Sequence, residues 1–453
     1  MKKYNRFSAR ASLAAVGVHM CRLKIWESVS THVQIKQKKV KHEPLDKLLD
    51  EFINILAGGQ GNVEVNTRVR SDPALQRAFG RTACADQSTV SETLNACDEE
   101  TVEQMRQALQ EIYRCHGLGY RHDYDLRFQV LDVDLTGLTA GRQAEQATKG
   151  FFSGKKNKRG RQLGRVLATL YDEIPYEELY PGKVQLEQSL QELLVGAEEV
   201  LELDQKRRRR TIVRIDGGGG RDADVNWLLS RDYSILVKVK NWKRAQKLAR
   251  SVTHWYPDPK VPDRQIGWVE TPHAYVRPTR QLAMRWLTSD GQWHYRVLVF
   301  NLTDEMFFEL IRRPMPNQLT SEKLLAAIVD AYDLRGGGVE TTIKGSKSGL
   351  GIHKRNKRRF TAQEMLVLLA QLAYNLITWV RNLLIEKVPF FQRFGKLRMV
   401  RDVFHITGKV QMTQQDQLVT IILNRDHILA SPFYEALKSI LADDGLRLIL
   451  RKI

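Results

Sequence analysis

The stretch TIVRIDGGGG, from Thr211 to Gly220, restricts the folds open to this chain more than any other. It reads as a buried strand that ends on an acid, Asp216, followed by four glycines that let the backbone approach something closely. A helical pattern, DADVNWLLSRD, and a further strand, YSILVKVK, come next. Upstream, RFQVLDVDLTGL alternates like a strand and carries Asp132 and Asp134. Strands interleaved with helices in this order predict an α/β domain with a mixed sheet. If the two acid-bearing strands are neighbours, Asp134 and Asp216 lie on one sheet.

At 453 residues the chain is long enough for two or three domains and a large core. Its 71 Lys and Arg against 52 Asp and Glu leave a net charge of +19. Such an excess points to a polyanionic partner, nucleic acid or an anionic membrane surface. Four scattered cysteines, with no CxxC pair, argue against zinc fingers and disulfide frameworks and fit a reducing compartment. The longest apolar run, MLVLLAQLAYNLITWV from Met365, is interrupted by Gln371 and Asn375 and falls short of a membrane span. The basic and apolar N-terminus is broken by Ser12, Gly17 and His19 and reads as no signal peptide. A cytosolic protein with no membrane partner is expected by default.

Six segments follow from the changes of pattern. Residues 1–43 are basic, and their end, VQIKQKKVKHEP, alternates like a short strand. Residues 44–125 read as helices. Within them DPALQRAFG is opened by Asp72 and Pro73 and closed by Gly80. These short helices fit a helix-turn-helix DNA reader, with Ser88, Thr89 and Ser91 opening the helix that enters the major groove. They fit equally a helical bundle in which the Ser–Thr pair caps a helix. Residues 126–240 hold the first part of the α/β core, and 241–317 read as a self-contained antiparallel β insertion with an SDG turn. Residues 318–395 return to the core, and 396–453 form a hairpin and a helix.

Glu340 lies 124 residues after Asp216, in YDLRGGGVETTIKGSK. Three consecutive glycines are unfavourable in a helix, at roughly 1 kcal/mol each against alanine. A helix starting near Val339 would put Glu340, Ile343, Lys344 and Lys347 on one face, and the triplet would be a close-approach hinge after the helix bearing Tyr332 and Arg335. Three carboxylates at strand ends and on a facing helix suit two Mg²⁺ ions, which take oxygen ligands and serve phosphoryl transfer. Alone, the segment reads as a surface loop with an ordinary salt-bridging glutamate.

LDVDLTGL, RIDGGGGRDADVNWLL and YDLRGGGVETTIKGSKSGLG together resemble the motif blocks of bacterial insertion-sequence transposases of the DDE type. The closer likeness is to the subgroup with a tyrosine–arginine–glutamate–lysine signature, and it spans roughly residues 70 to 385. The resemblance implies an RNase H-like core interrupted by the β insertion, and an N-terminal helical DNA-binding domain. It also implies cutting and joining of double-stranded DNA at transposon ends with two Mg²⁺ ions, Mn²⁺ substituting, by a dimer in a synaptic complex. The acids are then Asp134, favoured over Asp132 because Thr136 follows it, Asp216 and Glu340. Tyr332, Arg335 and Lys347 match the signature and, with Lys344 beside them, are implied to contact the DNA, which would hold a cytoplasmic protein at the nucleoid. Four residues separate Arg335 from Glu340, where the signature has three.

The resemblance further implies a tryptophan of the insertion that stacks a flipped base, with Trp268, Trp286 and Trp293 as candidates and Trp293, beside the turn, preferred. Lys155, Lys156, Lys158, Arg159, Arg161 and Arg207 to Arg210 are phosphate-contact candidates. A hydrolytic nuclease of the same core, or a DNA-binding protein that has lost activity, are the rival readings; the presence of all three acids argues against the second.

Overall fold

The computed structural model describes residues 3–38, 41–152 and 158–453. Among these, fourteen strands occur: β1 Lys3–Ser8, β2 Gln129–Thr139, β3 Thr148–Lys149, β4 Arg159–Ala168, β5 Glu173–Pro181, β6 Thr211–Ile215, β7 Ser234–Lys238, β8 Tyr256–Pro257, β9 Arg264–Trp268, β10 Arg280–Leu287, β11 Trp293–Phe300, β12 Gly408–Thr413, β13 Leu418–Asn424 and β14 Arg447–Arg451. The chain divides into two compact units. One comprises Met1–Gly117, Leu138–Arg161 and Ile343–Ile453; the other comprises Leu118–Gly137 and Gln162–Thr342.

The second unit is built on a sheet in the order β5-β4-β2-β6-β7-β11-β10-β9-β8. Thr169 N–H donates to the Val130 carbonyl at 3.0 Å, which sets the end of β4 against the start of β2. β2, β6 and β7 are mutually parallel. A three-strand meander, β2-β4-β5, followed by two strands parallel to the first and placed beyond it, is the RNase H-like topology. Helices supply the crossovers that parallel strands require: Leu186–Leu201 joins β5 to β6 and Asp222–Ser230 joins β6 to β7.

The insertion is not self-contained. β11 pairs antiparallel with β7, Phe300 opposite Leu236, so β8 to β11 prolong the core sheet. The apolar face of β11, with Leu298 and Phe300, would otherwise be left without a layer. It shares a core with Ile212, Leu236, Leu282, Phe307, Leu325 and Ile328. Leu325 and Ile328 belong to the helix Ser321–Arg335, capped by Thr320 on the Lys323 N–H. Each such side chain, fully buried, contributes about 1.5–3 kcal/mol, and the packing fixes the helix that carries Tyr332 and Arg335.

The first unit is helical with a small sheet, β1-β12-β13-β14. The expected hairpin is β12–β13; its flanking strands were not foreseen. β1 pairs with β12 across most of the sequence, and β14 runs parallel to β13. Of the segment predicted as a strand, 33–44, residues 33–38 make no ladder and 39–40 lie outside the described residues; the Gln34 N–H donates to the Gln104 side chain instead. Asp72 caps Pro73–Ala78 and Gly80, at φ +76°, follows it, as its sequence predicts. The apolar run near Met365 is longer than expected: Phe360–Lys387 spans 28 residues. That is long enough to cross a membrane, yet the helix is mostly buried, against helices Pro44–Leu56, Gln87–Ala96, Glu99–His116 and Ala430–Asp443. Gln371 and Asn375 lie within that core. Among the described residues the four cysteines form no disulfide.

Candidate active site

Register places the first two acids. In the parallel pair β2·β6, Asp132 faces Arg214 and Val133 faces Ile215, so the next step brings Asp134 beside Asp216. In β6·β7, Ile215 faces Val237, and the same step brings Lys238 beside Asp216. Two acids and a lysine thus stand in a row across three parallel strands, about 4.8 Å apart, with Asp134 midway along β2 and Asp216 and Lys238 at the C-terminal ends of β6 and β7. The glycines after Asp216 explain why the chain can turn there. A side chain at Gly220 would lie 1.9 Å from the Lys238 carbonyl, and the Gly218 N–H donates to Asp216 Oδ1 at 2.8 Å.

Asp132 and Asp134 point to the same face of β2, two residues apart, and meet different fates. Asp132 is fully buried and forms a two-pronged pair with Arg214, at 2.7 and 2.8 Å. Thr169 donates a third bond to it at 2.8 Å, and the remaining Arg214 Nη binds the Ala331 carbonyl. Every oxygen of Asp132 is taken up, which makes it a structural residue. Asp134 keeps 18% of its side chain exposed. Burial pushes its carboxyl up to about 6, and Asp216 and Glu340 push the same way against Arg335.

The glycine triplet does what its composition suggests. The helix Ser321–Arg335 runs on through Gly336, breaks at Gly338, whose φ and ψ of −85° and −109° are not helical, and a new helix follows. A Cβ at Gly338 would lie 2.7 Å from Asp132 Oδ2, whereas Gly337 faces open space. Only one glycine of the three is required by close approach.

Arg335 stands between the acids. It is 3% exposed, and one Nη donates to the Val133 carbonyl at 2.9 Å and sits 3.2 Å from Asp134. Its other Nη lies 3.6 Å from Glu340, whose side chain is 62% exposed. Arg335 Nε is buried without a hydrogen-bond partner. Tyr332 is buried one turn earlier, its ring facing Lys238 Nζ at 5.9 Å, and burial raises its hydroxyl pKa. Burial lowers Lys238, with Asp216 opposing. Asp333 turns away and pairs with Arg264 on β9 at 2.5 Å.

The family described as Transposase DDE domain group 1 matches residues 6–443. The chain belongs to this family. Among solved structures, a piggyBac transposase synaptic complex with hairpin DNA is similar at 10% identity and a TM-score of 0.46. The match covers 89% of this chain and 82% of that one. A pre-cleavage Mos1 transpososome is similar at 13% identity and a TM-score of 0.18, over 45% and 61% of the two chains. No curated protein matches.

The other residues singled out in this transposase sort by what they touch. Trp268 and Trp286 pack against the core of the second unit. Trp293 is 39% exposed on the other face, where Arg285 is sandwiched between its ring, at 4.4 Å, and that of Trp255, at 4.2 Å. Arg161 is not a phosphate contact. It is 1% exposed and donates to the carbonyls of Glu145, Lys357 and Arg358. Arg159 is half-buried. Ser88 and Thr89 both donate their hydroxyls to Asp86, the residue that caps Gln87–Ala96, and Lys357 donates to Ser91. These are the bonds of the capping alternative, and the exposed Ser88 shares the outward side of the helix with Glu92. Lys344 is exposed and Lys347 half-buried on the helix Thr341–Gly349. Arg208 and Arg210 donate to the backbone carbonyls of Leu203, Arg231 and Tyr124. Lys155 and Lys156 lie outside the described residues.

Three residues at the site escaped the sequence. Arg214 is legible only as the cross-strand partner of Asp132, and Trp255 only through Arg285. Lys238 had a signal, a strand ending in lysine, but its place beside Asp216 depends on register.

Whether the acids fit a divalent ion can be tested on this geometry. Their donors are all carboxylate oxygens, which is the chemistry Mg²⁺ takes. Yet among the described residues no group of three or more His, Cys, Asp and Glu side chains stands close enough to hold a metal. Around Asp134 and Glu340 a guanidinium already fills the space between carboxylates.

Proposed function

We propose that this transposase cuts DNA at the ends of its element and joins the freed 3′-hydroxyls to target DNA, with Asp134, Asp216 and Glu340 as its acid set. The observation that supports this most is the row formed by register, Asp134 beside Asp216, with Glu340 brought toward them after the kink at Gly338. The donor chemistry suits two Mg²⁺ ions, with Mn²⁺ substituting; such ions supply a polarised phosphate and an activated water or hydroxyl. The chain's own residues position and neutralise. β2 and β6 hold two acids rigidly, Lys238 offers a cation to a phosphate beside Asp216, and Tyr332 and the core beneath it exclude water from that side.

Double-stranded DNA is the partner that a charge of +19 attracts. The exposed Lys344, half-buried Lys347 and Arg159 are proposed backbone contacts. Trp293, stacked on Arg285, offers a face to a base, worth roughly 1–3 kcal/mol. Joining two ends in one event calls for two copies on DNA.

The test compares wild type with Glu340→Gln on a labelled duplex carrying the element's terminal sequence, in Mg²⁺. Loss of cleavage by on the order of 10³-fold, with duplex binding retained, is expected, since the acid contributes several kcal/mol only through the reacting phosphate. Unchanged cleavage would remove Glu340 from the acid set.

A further inference from the structure

We propose that Arg335 is a built-in counter-cation of the acid set: it holds Asp134 permanently and Glu340 exchangeably, so that a divalent ion is taken up only when Glu340 lets go of it. The inference rests on the acid-set reading above.

Four observations carry it. First, the guanidinium is almost completely buried and sits between two of the three acids, within 3.2 Å of Asp134 and 3.6 Å of Glu340. A guanidinium stays charged at any ordinary pH, so its neutralising effect on those carboxylates is constant. Second, its two contacts are unequal. The Nη near Asp134 is also tied to the Val133 carbonyl at 2.9 Å, on the strand itself, whereas the Glu340 contact is longer and ends on a 62% exposed carboxylate. The Glu340 side is the one that opens. Third, Asp132 is closed by Arg214 and Thr169, so the acids left to Arg335 are those of the set itself, with the charge of Asp216 acting on it beside those of Asp134 and Glu340. Its unpartnered Nε shows that its place is set by the acids and the Val133 carbonyl, not by a full complement of bonds. Fourth, Arg335 and Glu340 lie on opposite sides of the break at Gly338, so Glu340 can swing without moving the helix that holds Arg335.

Arg335 is a positioning residue in this account, and its signature is an ion affinity. Mn²⁺ binding to the full chain without DNA is measured from the loss of the free-ion resonance signal, for wild type, Arg335→Met, Arg335→Lys and Asp134→Asn. Removing a unit charge this close to the carboxylates is expected to tighten Mn²⁺ binding at least about tenfold in Arg335→Met. Arg335→Lys keeps the charge on a single nitrogen, cannot serve both acids, and is expected to fall between wild type and Arg335→Met. Asp134→Asn is expected to abolish the binding. Equal or weaker affinity in Arg335→Met, with Asp134→Asn still abolishing binding, overturns the counter-cation and leaves the acid set standing. Binding that ignores Asp134→Asn overturns the acid set and this inference with it. Should Arg335→Met lose its circular-dichroism signature of folding, Arg335→Lys decides alone: affinity at or below wild type overturns the proposal.

Discussion

Two acid–arginine pairs sit two residues apart on β2, and they behave as opposites. Asp132 and Arg214 are sealed, with every contact oxygen and nitrogen matched and almost no surface exposed. Asp134 and Arg335 have the same chemistry but a looser contact, a carboxylate partly open to water, an unpartnered Nε and a second acid within reach. What differs is completion. A buried pair with all its bonds made has nothing left to offer a substrate, whereas one left incomplete, level with the ends of β6 and β7, still has lone pairs to offer a ligand. Structure and chemistry are thus allotted to neighbouring residues of one strand.

The contrast can be broken most violently at the sealed pair. Arg214→Met leaves Asp132 charged, buried and alone, and is expected to destabilise the protein by about 3–5 kcal/mol in urea unfolding. A loss under 1 kcal/mol would show that the pair is not structural. The open pair is probed by pH. The folded protein holds the Asp134 proton up to about pH 6 against 3.8 for an ordinary aspartate, so the folded state binds more protons in between. Stability then falls as pH rises from about 4 to about 6 and is flat above, with at most about 3 kcal/mol at stake at 1.4 kcal/mol per pH unit. Melting temperatures of wild type and Asp134→Asn across that range should differ in slope; parallel curves would mean an unshifted carboxyl. The glycines sharpen the comparison with smaller effects. Gly338→Ala drives a methyl into Asp132 Oδ2 and is expected to cost about 1–3 kcal/mol. Gly337→Ala meets nothing and is expected to gain up to about 1 kcal/mol of helix stability.

The sequence announced the parts of the site that depend on local pattern. A strand that ends on an acid and glycines, an alternating strand with a second acid, and a triplet of glycines between helical runs are all short-range signals. Each is found where the pattern puts it. What stayed hidden depends on pairing across distance. The Asp132–Arg214 bond joins residues 82 positions apart, and the row that brings Lys238 to Asp216 needs the register of β6 against β7. The insertion read as a separate sheet because its turn and strand signals are local, while the bond from β11 to β7 leaves no local trace. β1 was missed for the same reason, since its partner β12 lies some 400 residues away. Arg161 was misread because a basic run looks alike whether its side chains face water or a ring of carbonyls.

The break at Gly338 has a consequence for how such a chain varies over generations. Two jaws of the tool are cast into the sheet, and the third hangs on a short glycine tether that is open at Gly336 and Gly337 and anchored at Gly338, against Asp132. Adding or losing one glycine at the exposed positions 336 and 337 changes reach and aim, provided that the buried Gly338 and Val339 reseat. The tether is therefore a tuning screw: a lineage can alter when and on what the jaws close without rebuilding the body that carries them.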